Sequence, residues 1–287
     1  MPSAAEDLLR IQKQINQLLT EFRKRAETDR ENAQDAIATL VRLQTAQGLA
    51  AQFLERKRPY KDDPSFKALL DDGLLDHAAF IQKPPLLLGF YRRLLFSMDR
   101  EVRSILEIGV KGGGSTAFWK ALFPDATVIG MDLKLRRWVA SEPSADGVIY
   151  VQGDQTDVAR LQEIATQYGP FSIVIDDGSH VTDHQATTMR CLLPQVEPGG
   201  FYVVEDIHTS IKTLDGEQSL HYGEDIWSDF TLAVFQHLRK GPAPAPSAGA
   251  QLASRLASVI DDLILGSRVL AIRVRPESSS PEQSRRT

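Results

Sequence analysis

From Ser104 onward the chain alternates short apolar runs with stretches of helical length. The runs read SILEIGV, TVIGMD, GVIYVQGD, FSIVIDD and GFYVVED. A strand whose successive side chains are apolar needs cover on both faces, and parallel strands joined by helical crossovers supply it. Five such runs in series predict an α/β fold: a doubly wound, mostly parallel, Rossmann-like sheet over residues 101–276. A hydrophobic content of 42% in 287 residues is ample for the core this requires.

The flanks read differently. Leu8, Ile11, Ile15, Leu18 and Phe22 step by three and four, and Ile37, Leu40, Val41, Ala46, Leu49 and Phe53 form a second periodic patch, so residues 1–100 are expected to be a helical region. Its stripes are expected to pack on the protein's own body or to make a subunit contact in a homo-oligomer. The stretch RKRPYKDDPSF interrupts it as an exposed connection, with helix predicted over 66–81 and 85–96. After the fifth run, EDIWSDFTLAVFQHLRKG predicts an amphipathic helix stopping at Gly241, and PAPAPSAGA a loop. Ser258 to Arg275 is expected to fold as a hairpin around Gly266 and Ser267, against the alternative that Leu252 to Leu265 is helix. Residues 277–287 have nothing to bury and are expected to be disordered.

A formal charge of -5 with no long basic block argues against a nucleic-acid partner. The single cysteine, Cys191, has no intrachain disulfide partner. With no signal-like start and no apolar run near the ~18 residues that span a bilayer, the chain reads as soluble and cytoplasmic, without a membrane partner.

The stretch LEIGVKGGGSTAFW ends the first run and opens a helix, where open α/β sheets bind nucleotides. Gly112, Gly114 and Ala117 satisfy the dinucleotide fingerprint G-x-G-x-x-G/A, so an NAD-binding dehydrogenase is one reading. A second registration uses Glu107, Gly109, Gly113 and Ser115. An acid at the strand's end disfavours a pyrophosphate and suits a cofactor carrying an ammonium and a sulfonium, which favours S-adenosylmethionine. Asp132 is placed for a ribose diol under either reading, Asp154 for the adenine amino group, and Asp176 is grouped with these cofactor-binding residues. Each acid has an alternative reading as a helix cap or turn residue.

Two apolar runs end alike, in IDDGSH and VVEDIH. Carboxylates are costly beside buried strands unless something pairs with them, so two acid pairs at one sheet edge suggest a shared cation. Asp177, Glu205 and Asp206 offer hard oxygen donors, which suit magnesium, manganese or calcium, with magnesium expected. The alternative is that one pair caps a helix and the other faces solvent. His180, three residues after Asp177 and expected to begin the next helix, has the pKa to accept a proton from an alcohol nucleophile. His184, one turn further, is read as structural. His208 is placed beside the second acid pair and His221 in a substrate loop, while His77 and His237 read as helix-surface residues. Tyr60, His221, Tyr222 and Trp227 are candidates for the substrate pocket.

The motifs EIGVKGGGST, GMD, IDDGSH and PGGFYVVEDIHTS, in this order from Ile105 to Ser210, resemble those of the class I methyltransferases of the macrocin and mycinamicin sugar O-methyltransferase family, relatives of the cephalosporin-cluster methyltransferases. The resemblance implies magnesium held by Asp177, Glu205 and Asp206, with vicinal sugar hydroxyls on the metal and His180 as base. It implies an S-adenosylmethionine-dependent, Mg2+-assisted O-methyltransferase acting on a sugar or another small glycosylated natural product, with the N-terminal helices serving oligomerisation and a lid. Two further readings stand beside it: a metal-independent methyltransferase for another hydroxylated metabolite, and a non-catalytic protein that binds the cofactor and works through its N-terminal helices.

Overall fold

The computed structural model describes residues 83–98, 100–135, 147–210, 223–241 and 245–277. The expectations for the N-terminal helical region before Lys83, for Tyr60, His77, His221 and Tyr222, and for all but the first residue of the 277–287 tail lie outside these residues. Seven strands form one sheet in the order β3-β2-β1-β4-β5-β7-β6. The five runs become β1 (Ser104–Ile108), β2 (Thr127–Asp132), β3 (Ile149–Gln152), β4 (Phe171–Asp176) and β5 (Val196–Val204). The hairpin supplies β6 (Ile260–Leu265) and β7 (Leu270–Val274). β2 pairs parallel with β3, and β4 with β5, whereas β7 runs antiparallel to β5 and β6. This is the mostly parallel, doubly wound α/β fold expected from the run pattern. No helix among the described residues is long and apolar enough to cross a membrane.

The chain divides into two compact units. In the first, α1 (Pro85–Phe96) starts where the prolines allow it, with Pro85 in its first turn, where a missing N–H costs nothing. It buries Leu87, Phe90, Tyr91 and Leu94, one face at helical spacing. Tyr91 meets Trp119 of α2 (Gly114–Leu122) with ring centroids 4.9 Å apart. Gly130 of β2 is required by packing: a Cβ there would lie 2.8 Å from the Val110 Cγ2 and 3.0 Å from the Thr116 and Tyr150 side chains.

In the second unit α3 (Val158–Tyr168) is capped by Asp157, whose carboxylate accepts the N–H groups of Ala159 and Arg160. Then come α4 (Thr182–Leu192), α5 (Trp227–Leu238) and α6 (Ala248–Leu256). α6 begins inside the stretch predicted as loop, because Ser247 Oγ accepts the N–H of Ala250 and caps a helix that the flanking prolines obscure. The hairpin expectation holds from Ile260, and the helical alternative holds only up to Leu256.

Candidate active site

In the first unit the glycine loop leaves β1 with Gly109 at φ 92° and Gly113 at φ 75°, both in the region that favours glycine. Gly112 and Gly114 do not have positive φ. The backbone thus asks for glycine at the two positions of the Glu107 registration, and at neither glycine of the dinucleotide one. Asp132, ending β2, holds this loop: its Oδ2 accepts the N–H groups of Val110 at 2.8 Å and Lys111 at 2.9 Å, and its Oδ1 that of Lys134. Lys111 itself sits at φ 49°, a strained conformation that those two bonds help to impose. Glu107 is fully buried, accepting the Ser115 hydroxyl at 2.8 Å and facing Lys83 Nζ at 3.2 Å. Lys83 was missed in the sequence, since it stands before α1 with no motif around it.

The second unit carries the acid pairs. Asp176 ends β4 fully buried, with Gln155 Nε2 donating to its Oδ1 at 3.3 Å, the Gly178 N–H at 3.4 Å and the Tyr202 hydroxyl 3.5 Å from its Oδ2. Burial, with the neighbouring Asp177 charge, pushes its carboxyl up to about 7, although the hydrogen bonds from Gly178, Gln155 and Thr188 work the other way. Burial and Asp176 also push the Tyr202 phenol up, so it remains a neutral donor. Asp176 is therefore enclosed by the chain's own donors.

Asp177, His180 and Asp206 converge: each offers one ligand atom, and these atoms lie within 4.8 Å of one another. Two carboxylates held so close repel unless positive charge lies between them. His180 Nε2 is 3.7 Å from Asp206 Oδ2, and His208 Nδ1 is 3.6 Å from Asp206 Oδ1. Burial, aided by Arg268, holds the His208 imidazole below the usual histidine range. The chain reaches this geometry through two left-handed residues, His180 at φ 60° and Asp206 at φ 54°. Thr209 ties them together, its hydroxyl donating to the Asp206 carbonyl at 2.8 Å and lying 3.4 Å from that of His180.

Three expectations change in detail. His180 belongs to the loop before α4, not to the helix, because its left-handed backbone cannot continue one. Glu205, buried beside Asp206, is not in the converging group; its N–H donates to the Asp176 carbonyl, and its own carbonyl accepts from Gln185. Trp227 is core, 1% exposed, with its indole N–H donating to Gln185 Oε1 at 3.2 Å, so it does not line an open pocket. His184 joins no metal group; its Nδ1 lies 2.9 Å from Ser179 Oγ. Asp154 is exposed and makes a turn, its Oδ1 accepting both the N–H and the hydroxyl of Thr156, which hold its carboxyl below the usual range.

The family described as Rhamnosyl O-methyltransferase/CmcI matches residues 79–242, over half of the chain. This chain belongs to that family. Among curated relatives, the demethylmacrocin O-methyltransferase of Streptomyces fradiae is 42% identical over 119 residues, 39% of this chain and 29% of that enzyme. The mycinamicin VI 2''-O-methyltransferase of Micromonospora griseorubida is 43% identical over 119 residues, again 39% of this chain and 29% of its own length. The chain thus spans about three-tenths of the length of these two relatives. Among solved structures, a MycE methyltransferase of the mycinamycin pathway, in complex with Mg, SAH and mycinamycin VI, matches with a TM-score of 0.53 and 26% identity over 76% of this chain and 57% of that one. The likeness to that structure agrees with the mostly parallel seven-stranded sheet.

Proposed function

We propose that this chain is an S-adenosylmethionine-dependent, magnesium-assisted O-methyltransferase acting on a hydroxyl of a sugar or glycosylated natural product. The observation that carries the reading is the convergence of Asp177, His180 and Asp206 on one point. Two hard carboxylates suit magnesium, and an imidazole beside them suits proton transfer from a hydroxyl. The substrate class is supported by the names of relatives that carry a rhamnosyl tetracenomycin-C or an L-olivosyl-oleandolide as the acceptor.

When bound, S-adenosylmethionine supplies a methyl group already activated on sulfur, and magnesium supplies the charge that orients and acidifies a hydroxyl. The chain's own work is then positional. Asp177 and Asp206 would hold the cation; Glu205, a third ligand in the family pattern, lies outside their converging atoms. His180 accepts the hydroxyl proton on its imidazole. On the cofactor side, the left-handed turns at Gly109 and Gly113 let the backbone come close and Asp132 fixes the loop, while Glu107, buried near the end of β1, accepts the Ser115 hydroxyl and has its charge met by Lys83. Asp154 and Asp176, grouped with the cofactor residues in the sequence, are instead engaged within the chain, Asp154 by Thr156 and Asp176 by Gln155 and Gly178.

The test is methyl transfer to a panel of glycosylated macrolides, followed by mass spectrometry with magnesium and with excess EDTA. A product heavier by one methylene, lost in EDTA and lost in His180→Ala while that variant still binds the cofactor, is the expected result. Full turnover in EDTA would overturn the metal role, and full turnover by His180→Ala the base assignment.

A further inference from the structure

We infer that Gln155 is a positioning residue for the loop that carries Asp177 and His180, an inference that rests on the metal reading above. Gln155 lies in the turn after β3, 7% exposed, and every polar atom of its amide is used. Its Oε1 accepts the N–H of Ser179 at 2.7 Å. Its Nε2 donates to Asp176 Oδ1 at 3.3 Å and to Thr188 Oγ1 at 3.2 Å. Its backbone carbonyl lies 3.4 Å from the same Thr188 hydroxyl. One side chain thus fastens residues on both sides of Asp177 and ties them to α4.

The fit is also steric. A Cβ on Gly178 would fall on the Gln155 amide, so the glycine of IDDGSH is there to let that amide approach. The chemistry selects glutamine: Oε1 must accept from a backbone N–H while Nε2 donates to a carboxylate. A glutamate would set a second charge against Asp176, and an asparagine falls one methylene short. Groups that hold a metal-binding side chain in place change metal affinity by about 10–100-fold when removed. That is the expected size of the effect, because Asp177 and His180 flank the clamped Gly178–Ser179 pair.

The experiment titrates Mn2+ into the full chain by electron paramagnetic resonance, with SAH affinity measured calorimetrically on the same samples. Gln155→Ala should weaken Mn2+ binding by about tenfold or more, with SAH affinity and the melting temperature far less affected. Gly178→Ala should weaken Mn2+ binding in the parent chain but add nothing in the Gln155→Ala background, where the space is already vacated. Gln155→Met, which keeps the volume and loses the hydrogen bonds, should behave as Gln155→Ala and serves if the smaller variant fails to fold. Parent-like Mn2+ affinity in Gln155→Ala or Gln155→Met, or additive losses in the double variant, would overturn the inference alone. A parent chain that binds no Mn2+ would overturn the metal reading, and this inference with it.

Discussion

Glu107 and Asp176 are both fully buried carboxylates near strand ends, and the chain treats them in opposite ways. Glu107 has an equally buried cation, Lys83, at 3.2 Å. Asp176 is met by neutral donors, and its carboxyl is pushed up to about 7. Lys83→Met should therefore strand the Glu107 charge and cost about 3–5 kcal/mol in urea unfolding, and adding Glu107→Gln should restore most of it. A single variant as stable as the parent would show that the pair is not closed in solution. For Asp176 the sign follows from the upward shift. Between about 4, the ordinary carboxylate value, and about 7 the native state holds a proton that the unfolded chain has released. Its contribution to stability is complete below that window and is lost as pH rises through it. In EDTA, the parent should lose stability relative to Asp176→Asn between pH 5 and 7 by up to ~1.4 kcal/mol per pH unit. Parallel profiles would refute the shift. The acids were legible because strand ends are where α/β sheets place chemistry; Lys83 and Gln155 were not, because their partners lie far away in sequence and no local pattern marks them.

At the scale of elements, the period of the apolar residues carried most of the information. β1 to β5 fall on the runs read from the sequence, and α1 spans the predicted 85–96. What failed was punctuation. Proline-rich PAPAPSAGA reads as loop, yet its last residues open α6, whose second residue, Gly249, packs against the start of α5. A Cβ on Gly249 would meet the Ile226 carbonyl and lie 2.7 Å from the Phe230 N, both backbone atoms that cannot turn aside. Gly249→Ala should force α6 off α5 and destabilise the fold by about 1–3 kcal/mol. Gly112, with nothing within 4 Å of its would-be Cβ and no positive φ, is the internal control: Gly112→Ala should leave stability within about 0.5 kcal/mol of the parent. Equal effects of the two changes in chemical denaturation would mean that the α5–α6 approach is looser than described. The same punctuation error put His180 on a helix: residue type alone does not announce a left-handed backbone at histidine.

Across the whole molecule, the composition excluded more than it identified, and the family pattern supplied what composition lacked. A net charge of -5 and a mostly parallel sheet are compatible with many cofactors, and the glycine loop alone admits two. The backbone favours the Glu107 registration, because positive φ falls at Gly109 and Gly113 and not at Gly112 or Gly114. That choice has a thermodynamic consequence for the entire fold. A ligand that binds only the native state adds about 2.7 kcal/mol at a hundred times its Kd, which for a chain of this size raises the melting temperature by about 4–5 °C. SAH should produce that rise in a thermal melt, and NADH at the same concentration should produce none. A rise with NADH alone would mean that the loop binds a pyrophosphate despite Glu107, and the dehydrogenase reading would then displace methyl transfer. A rise with SAH that persists in EDTA, followed by methyl transfer that does not, would separate the two halves of the proposed chemistry, assigning the methyl donor to the glycine loop and the acceptor to Asp177, His180 and Asp206.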